Sequence, residues 1–118
     1  MTHTFKVILL SALVSGLPFI SQAAEKTDSA RIDPGKVHEV CFAMEFGERL
    51  TYAFMSSRDM KFNIHYHEGD DVSFPVEEHL TAEEEEDIFT AMSSQGYCMM
   101  WTNPSNRIVP LNVVYRVR

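Results

Sequence analysis

The residues of this chain best equipped for chemistry lie in one short segment, Phe62-Asn63-Ile64-His65-Tyr66-His67-Glu68-Gly69. Its alternation of apolar and polar types predicts a strand, on which side chains two positions apart project from the same side. His65 and His67 then stand side by side with Cα atoms roughly 6.5–7 Å apart, a spacing from which two imidazoles reach one zinc or copper ion. A pair supplies only half a site, and Glu68, His79 and His38 are the side chains a fold would have to bring to it. Two other readings fit the same residues. The imidazoles lie on a solvated polar face beside Lys61 and Asn63, or His65, Tyr66, His67 and Glu68 together recognise a peptide or a small polar ligand.

Other chemistry is sparse. Beyond Met1 there are six methionines, whose thioethers suit Cu(I), but they form no Met-x-x-Met or Met-x-His cluster, and soft core packing accounts for most of them. Ten carboxylates between Glu68 and Asp87, with no basic residue among them, lack the glycine and spacing of an EF-hand and read as a solvated surface that favours a basic partner. There is no G-x-S-x-G, no H-E-x-x-H and no phosphate-cradling glycine loop, so the expectation is a protein that is not an enzyme.

The elements that must position these residues are short. The 118 residues, 45% hydrophobic and 23% charged, fit one folded domain. Runs of β-branched and aromatic residues are punctuated by Gly47, Ser56-Ser57, Gly69-Asp70-Asp71, Gly96 and Asn103-Pro104. They predict strands over 36–44, 48–56, 59–67, 71–76, 96–102 and 107–117, with a further one near 87–92. Phe62, Ile64 and Tyr66 share one face, as do Val109, Leu111, Val113, Tyr115 and Val117, so the expected fold is an all-β, antiparallel β-sandwich. Residues 77–92 leave two readings open. Thr81 to Glu84 fits a capping box ahead of one short helix, or the segment is an acidic loop leading into a strand.

The first 23 residues read as an export signal. Lys6 precedes an apolar run from Val7 to Ile20 that closes on Ser21-Gln22-Ala23, a small-x-small cleavage pattern, and the run of about 14 residues is short of the ~20 a spanning helix needs. No later segment is apolar enough to span a membrane. Residues 24–35, with Pro34-Gly35, read as a flexible leader, and 36–118 as the domain. Removing the signal takes Lys6 away and leaves nine basic against 17 acidic side chains, a charge of −8 that disfavours nucleic acid. A periplasmic or secreted location favours oxidation of Cys41 and Cys98, and closing 57 residues of chain would stabilise by roughly 4 kcal/mol.

The segments HEVCFAMEFGERLTYAF and FTAMSSQGYCMMWTNPSNRIVPLNVVYRV resemble a GOLD (Golgi dynamics) domain, a β-sandwich of early-secretory cargo receptors and some lipid-transfer proteins. The resemblance is carried by Cys41-Phe42, Gly96-Tyr97, Cys98 and Asn103 and spans roughly residues 38–118. It implies a Cys41–Cys98 disulfide and a small binding sandwich. The coiled coil, membrane helix and sorting tail of the receptors have no counterpart here, so their trafficking role does not follow. Alternation places both cysteines on the outer face, because Val40, Phe42, Met44, Tyr97, Met99 and Trp101 occupy the inner one.

The sequence thus points to an exported interaction module without a resident cofactor, its partner a protein, a peptide or a small polar ligand. The second reading is a periplasmic copper or zinc carrier using His65 and His67. Intact-mass analysis of the exported protein is expected to place its first residue near Ala24; retention of Met1 would contradict the export reading.

Overall fold

The computed structural model describes residues 24–118, so the proposed signal segment, 1–23, lies outside the described residues. The chain forms six strands in sequence: β1 (Lys26–Ile32), β2 (Val37–Met44), β3 (Arg49–Glu68), β4 (Asp71–Thr90), β5 (Gln95–Thr102) and β6 (Val109–Val117). All pairings are antiparallel, and they build one six-stranded sheet in the order β1-β6-β3-β5-β2, with β4 on the other edge of β3. The all-β antiparallel class is as expected. Where two packed sheets were anticipated, the strands form one sheet.

Strand β3 makes that possible. Its first half, Leu50–Ser56, pairs with β6, and its second half, Lys61–Tyr66, pairs with β5. Between the halves the β3/β4 register slips, from Met55 opposite Glu83 to Met60 opposite Thr81. Ser56 holds this corner by sharing its one O–H between the carbonyls of Arg58, at 2.7 Å, and Ala82, at 3.0 Å. A straight strand would separate residues 54 and 62 by roughly 26 Å. Their rings lie 4.7 Å apart, so the strand turns back over its own inner face. Trp101 closes on both, 5.4 Å from Phe54 and 5.3 Å from Phe62.

Around this aromatic cluster pack Met44, Leu50, Met60, Ile64, Tyr97, Met99, Val109, Leu111 and Val113, all buried. Their positions follow the alternation read from sequence on β3, β5 and β6. Two loop pairs close the ends. At one end Gly35 N–H donates to Asn103 O and Asn103 N–H to Lys36 O, both at 2.9 Å, while the buried Asn103 amide donates to the carbonyls of Ile32 and Arg107. At the other end Gly47 N–H donates to Ala91 O at 2.8 Å and Ala91 N–H to Glu48 O at 2.9 Å.

Two sequence expectations are corrected. Residues 24–35 contain no free leader: Lys26–Ile32 is β1, paired along its length with β6, and Ile32 joins the core. Its polar residues mask a strand because only Ala30 and Ile32 supply apolar packing, and β6 offers an otherwise open edge. Residues 77–92 hold neither helix nor loop through Thr90; they continue β4. Irregular registers at Tyr52/Phe54, Phe62/Ile64 and Ile64/Tyr66 set Glu85-Glu86, Glu77-Glu78 and Phe74-Pro75 against single β3 residues. Such bulges let consecutive carboxylates face water while the strand stays paired, and they accommodate a proline on an edge.

Ile64 is fully buried under this arrangement. Ile64→Ala is expected to cost about 2–5 kcal/mol in urea denaturation, whereas Leu80→Ala, on the exposed edge, should stay within about 1 kcal/mol. Equal losses would contradict the assigned faces.

Candidate functional site

The outer face of the β2-β5-β3 half carries Cys41, Cys98, His65 and His67 of the residues singled out by sequence. Cys41 and Cys98 are directly opposite in the β2/β5 register, with Cα atoms 4.1 Å apart, and they form a disulfide. The next position across the sheet is His65, opposite Cys98 in the β5/β3 register. Three adjacent strands therefore present Cys41, Cys98 and His65 in one row. Glu39, two residues before Cys41, shares their face.

The histidine is not the solvated residue expected. Its side chain is 5% exposed, covered by neighbouring groups: the His67 ring centroid is 5.2 Å away and that of Phe74 is 5.8 Å away. Asn63, also buried, accepts from His65 Nδ1 at 2.8 Å, which leaves Nε2 with its lone pair facing Glu39 Oε1 at 3.4 Å. A central strand flanked by β4 and β5 covers even its outer face, which alternation alone does not reveal. Burial, the largest cause, lowers the His65 pKa below the ordinary 6.5; Glu39 opposes this and His67 adds to it.

The other expected participants disperse. His67 stays exposed beside His65, but Tyr66 faces inward, packed edge-on against Tyr97 at 5.2 Å, and Glu68 sits exposed at the end of β3. His38 and His79 are opposite Trp101 and Phe62, on the core side of the sheet, and so cannot complete a site with His65 and His67. His38 Nε2 instead contacts Asp28 Oδ2 at 2.6 Å, joining the edges of β2 and β1. His79 lies between the Glu77 carbonyl, 2.9 Å from Nδ1, and Glu84 Oε1, 3.2 Å from Nε2; these partners raise its pKa. Tyr52, buried and 3.3 Å from Asp87, has its hydroxyl pKa raised as well. The four-residue recognition surface therefore reduces to His65 and His67 on one face, with Tyr66 on the opposite one.

Sequence reasoning missed two features. Glu39 and Asn63 complete the His65 surroundings; the Glu39-x-Cys41 spacing places them on one face and was available in the sequence. The second is the paired loop end, where Phe46 is 68% and Met92 76% exposed. These loops are held by the Gly47/Ala91 and Ala91/Glu48 backbone bonds, by Phe46 N–H donating to Ser94 Oγ at 2.9 Å, and by Ser94 Oγ donating to Glu45 at 3.0 Å. Gly47 adopts φ 86°, a left-handed conformation suited to glycine.

Among solved structures, the chain is similar to the Aeromonas hydrophila protein PliG, a periplasmic inhibitor of g-type lysozyme, with 12% identity, a TM-score of 0.59, and coverage of 86% of this chain and 93% of that one. A designed double-stranded β-helix also matches, at 17% identity and a TM-score of 0.41 over 79% of this chain and 99% of that one. Neither a protein-family model nor a curated protein matches the chain. The likeness to PliG supports the all-β fold over nearly the whole described domain.

The two perturbed histidines make opposite contributions to stability. His65, lowered, binds its proton more readily in the unfolded chain, so it favours unfolding progressively as pH falls below about 6.5. His79, raised, stabilises the fold below about 6.5 and loses that contribution as pH rises through its folded value. Histidine NMR titration should find His65 below and His79 above the ordinary value. His65→Gln should reduce the loss of stability between about pH 6.5 and 5; an unchanged loss would contradict the assignment.

Proposed function

We propose that the protein is an exported, non-enzymatic module that binds another protein, with secreted cell-wall hydrolases of the lysozyme type as the partner class. The observation that carries this reading is the paired loop end, where two large apolar side chains stand in water on a hydrogen-bonded frame. Exposed anchors on fixed loops lose little freedom on docking, the condition under which a few side chains dominate an interface. The likeness to PliG, whose partner is g-type lysozyme, selects the partner class. The disulfide fits a periplasmic or secreted location, and the acidic balance favours a cationic partner. No helix among the described residues is long and apolar enough to cross a membrane.

The two-histidine metal carrier has less support, because His38 and His79, expected as further ligands, are on the other face of the sheet. The test is lysis of a cell-wall suspension by c-, g- and i-type lysozymes with increasing amounts of the exported chain. Inhibition of at least one class is expected, weakened on the order of 10-fold or more in a Phe46→Ala, Met92→Ala variant. Absence of inhibition of every class, or full inhibition by a folded double variant, would contradict this reading.

A further inference from the structure

The half of the sheet formed by β6, the first part of β3 and the last part of β4 has an outer face that neither the core nor the loop end uses. Alternation puts Thr51, Ala53 and Met55 of β3 there, beside Val114 and Asn112 of β6, because Tyr52, Phe54 and Val113 point into the core. Ala53, Met55, Asn112 and Val114 floor an open groove of about 350 Å³, walled on the β4 side by Glu83 and Glu85. A smaller depression of about 80 Å³ shares Ala53 and Val114 and continues past Thr51 to Glu86. Met55 is 57% exposed. Glu83 stands directly across from it, and the Glu85-Glu86 bulge across from Ala53, so carboxylates recur along the wall in rows roughly 6.5–7 Å apart. Among the described residues Arg116 meets Glu86 at 3.9 Å, whereas neither Glu83 nor Glu85 forms a salt bridge.

An apolar floor beside an unneutralised acidic wall fits a side chain that is apolar along its stem and cationic at its end. Lysine and arginine have this character: the stem lies on apolar surface while the charged head reaches beyond it. Adjacent strands are about 4.8 Å apart, a distance that such a stem spans, so a stem laid over Ala53 or Met55 brings its head to Glu85 or Glu83. Basic residues two apart on an extended segment match the two rows. We propose that this groove is a second docking surface, which takes an extended segment of a cationic protein with lysine or arginine at alternate positions. The segment lies over the face of the sheet and does not extend the ladder, because bulges interrupt the free edge of β4. A second copy of this chain does not fit, since two such walls would set carboxylate against carboxylate on an acidic protein. The groove shares no residue with the loop end carrying Phe46 and Met92, so the proposal stands apart from the reading of that end.

The experiment is an NMR titration of the isotope-labelled exported chain, at low salt, with the acetylated and amidated peptide Thr-Lys-Thr-Lys-Thr-Lys-Thr. Saturable shifts are expected at the Met55 and Val114 methyls and at the amides of Ala53 and Glu85. A peptide with diaminopropionate for each lysine keeps the charge and loses the stem; it should bind at least about threefold more weakly, and a glutamate counterpart should not bind. A Glu83→Gln, Glu85→Gln variant and a separate Met55→Ser variant should each weaken the lysine peptide about threefold or more. Glu77→Gln, Glu78→Gln, which removes the same charge from the other half of β4, should change it less than about 1.5-fold. These side chains are all exposed, and the dispersion of each spectrum reports that the variant is folded. The proposal is overturned by the absence of saturable shifts, by shifts that map outside the groove, or by a diaminopropionate peptide that binds as well as the lysine one. Equal weakening in the Glu77/Glu78 and Glu83/Glu85 variants, or a chain that self-associates through Met55, would overturn it as well.

Discussion

The contact between Phe54 and Phe62 is the constraint on which the rest of the molecule depends. Two rings eight positions apart on one strand meet only because β3 reverses over its own inner face, and that reversal turns a six-stranded sheet into an enclosure. Neither half of β3 could bury its apolar face without the other. Trp101, from β5, fills the space between them, and β6 brings Val109, Leu111 and Val113 from the opposite half. The single Ser56 O–H is shared between the Arg58 and Ala82 carbonyls at the corner, where the ladder is interrupted.

With the core enclosed, the edges and loop ends become the parts that differ in chemistry. The free side of β4 is lined with carboxylates and broken by bulges, features that discourage pairing with another strand. The edges of β1 and β2 approach each other and are joined through His38 and Asp28. On the outer face the disulfide fixes β2 to β5 beside a buried histidine, while the loop pair at one end exposes its two large apolar side chains.

Much of this was legible in the sequence, and the failures have physical causes. Alternation located the inner faces of β3, β5 and β6 and placed both cysteines outside, because those strands have one face in the core and a period of two. It could not tell that β3 is one bent strand: Ser56 and Ser57 resemble an interruption, and β4 pairs with β3 on both sides of the corner. The polar β1 and the acidic part of β4 were misread for a related reason. Both are edge strands whose side chains mostly face water, so they lack the apolar alternation that marks a half-buried strand. The outer face of β3 was taken as solvated because alternation separates two faces without reporting what covers each one. His65 is buried there by Phe74, His67 and Glu39, which come from separate parts of the chain.

The central claim is that the reversal of β3 creates a single folding unit that includes the loop end carrying Phe46 and Met92. Native-state amide hydrogen exchange tests it most directly, since the amides of Gly47 and Ala91 are bonded across the two loops and those of β3 lie in the core ladders. The account predicts that Gly47 and Ala91 are protected and that both halves of β3 open with the same free energy, as one cooperative unit. Rapid exchange at Gly47 and Ala91 while β3 stays protected, or different opening energies for the two halves of β3, would contradict it.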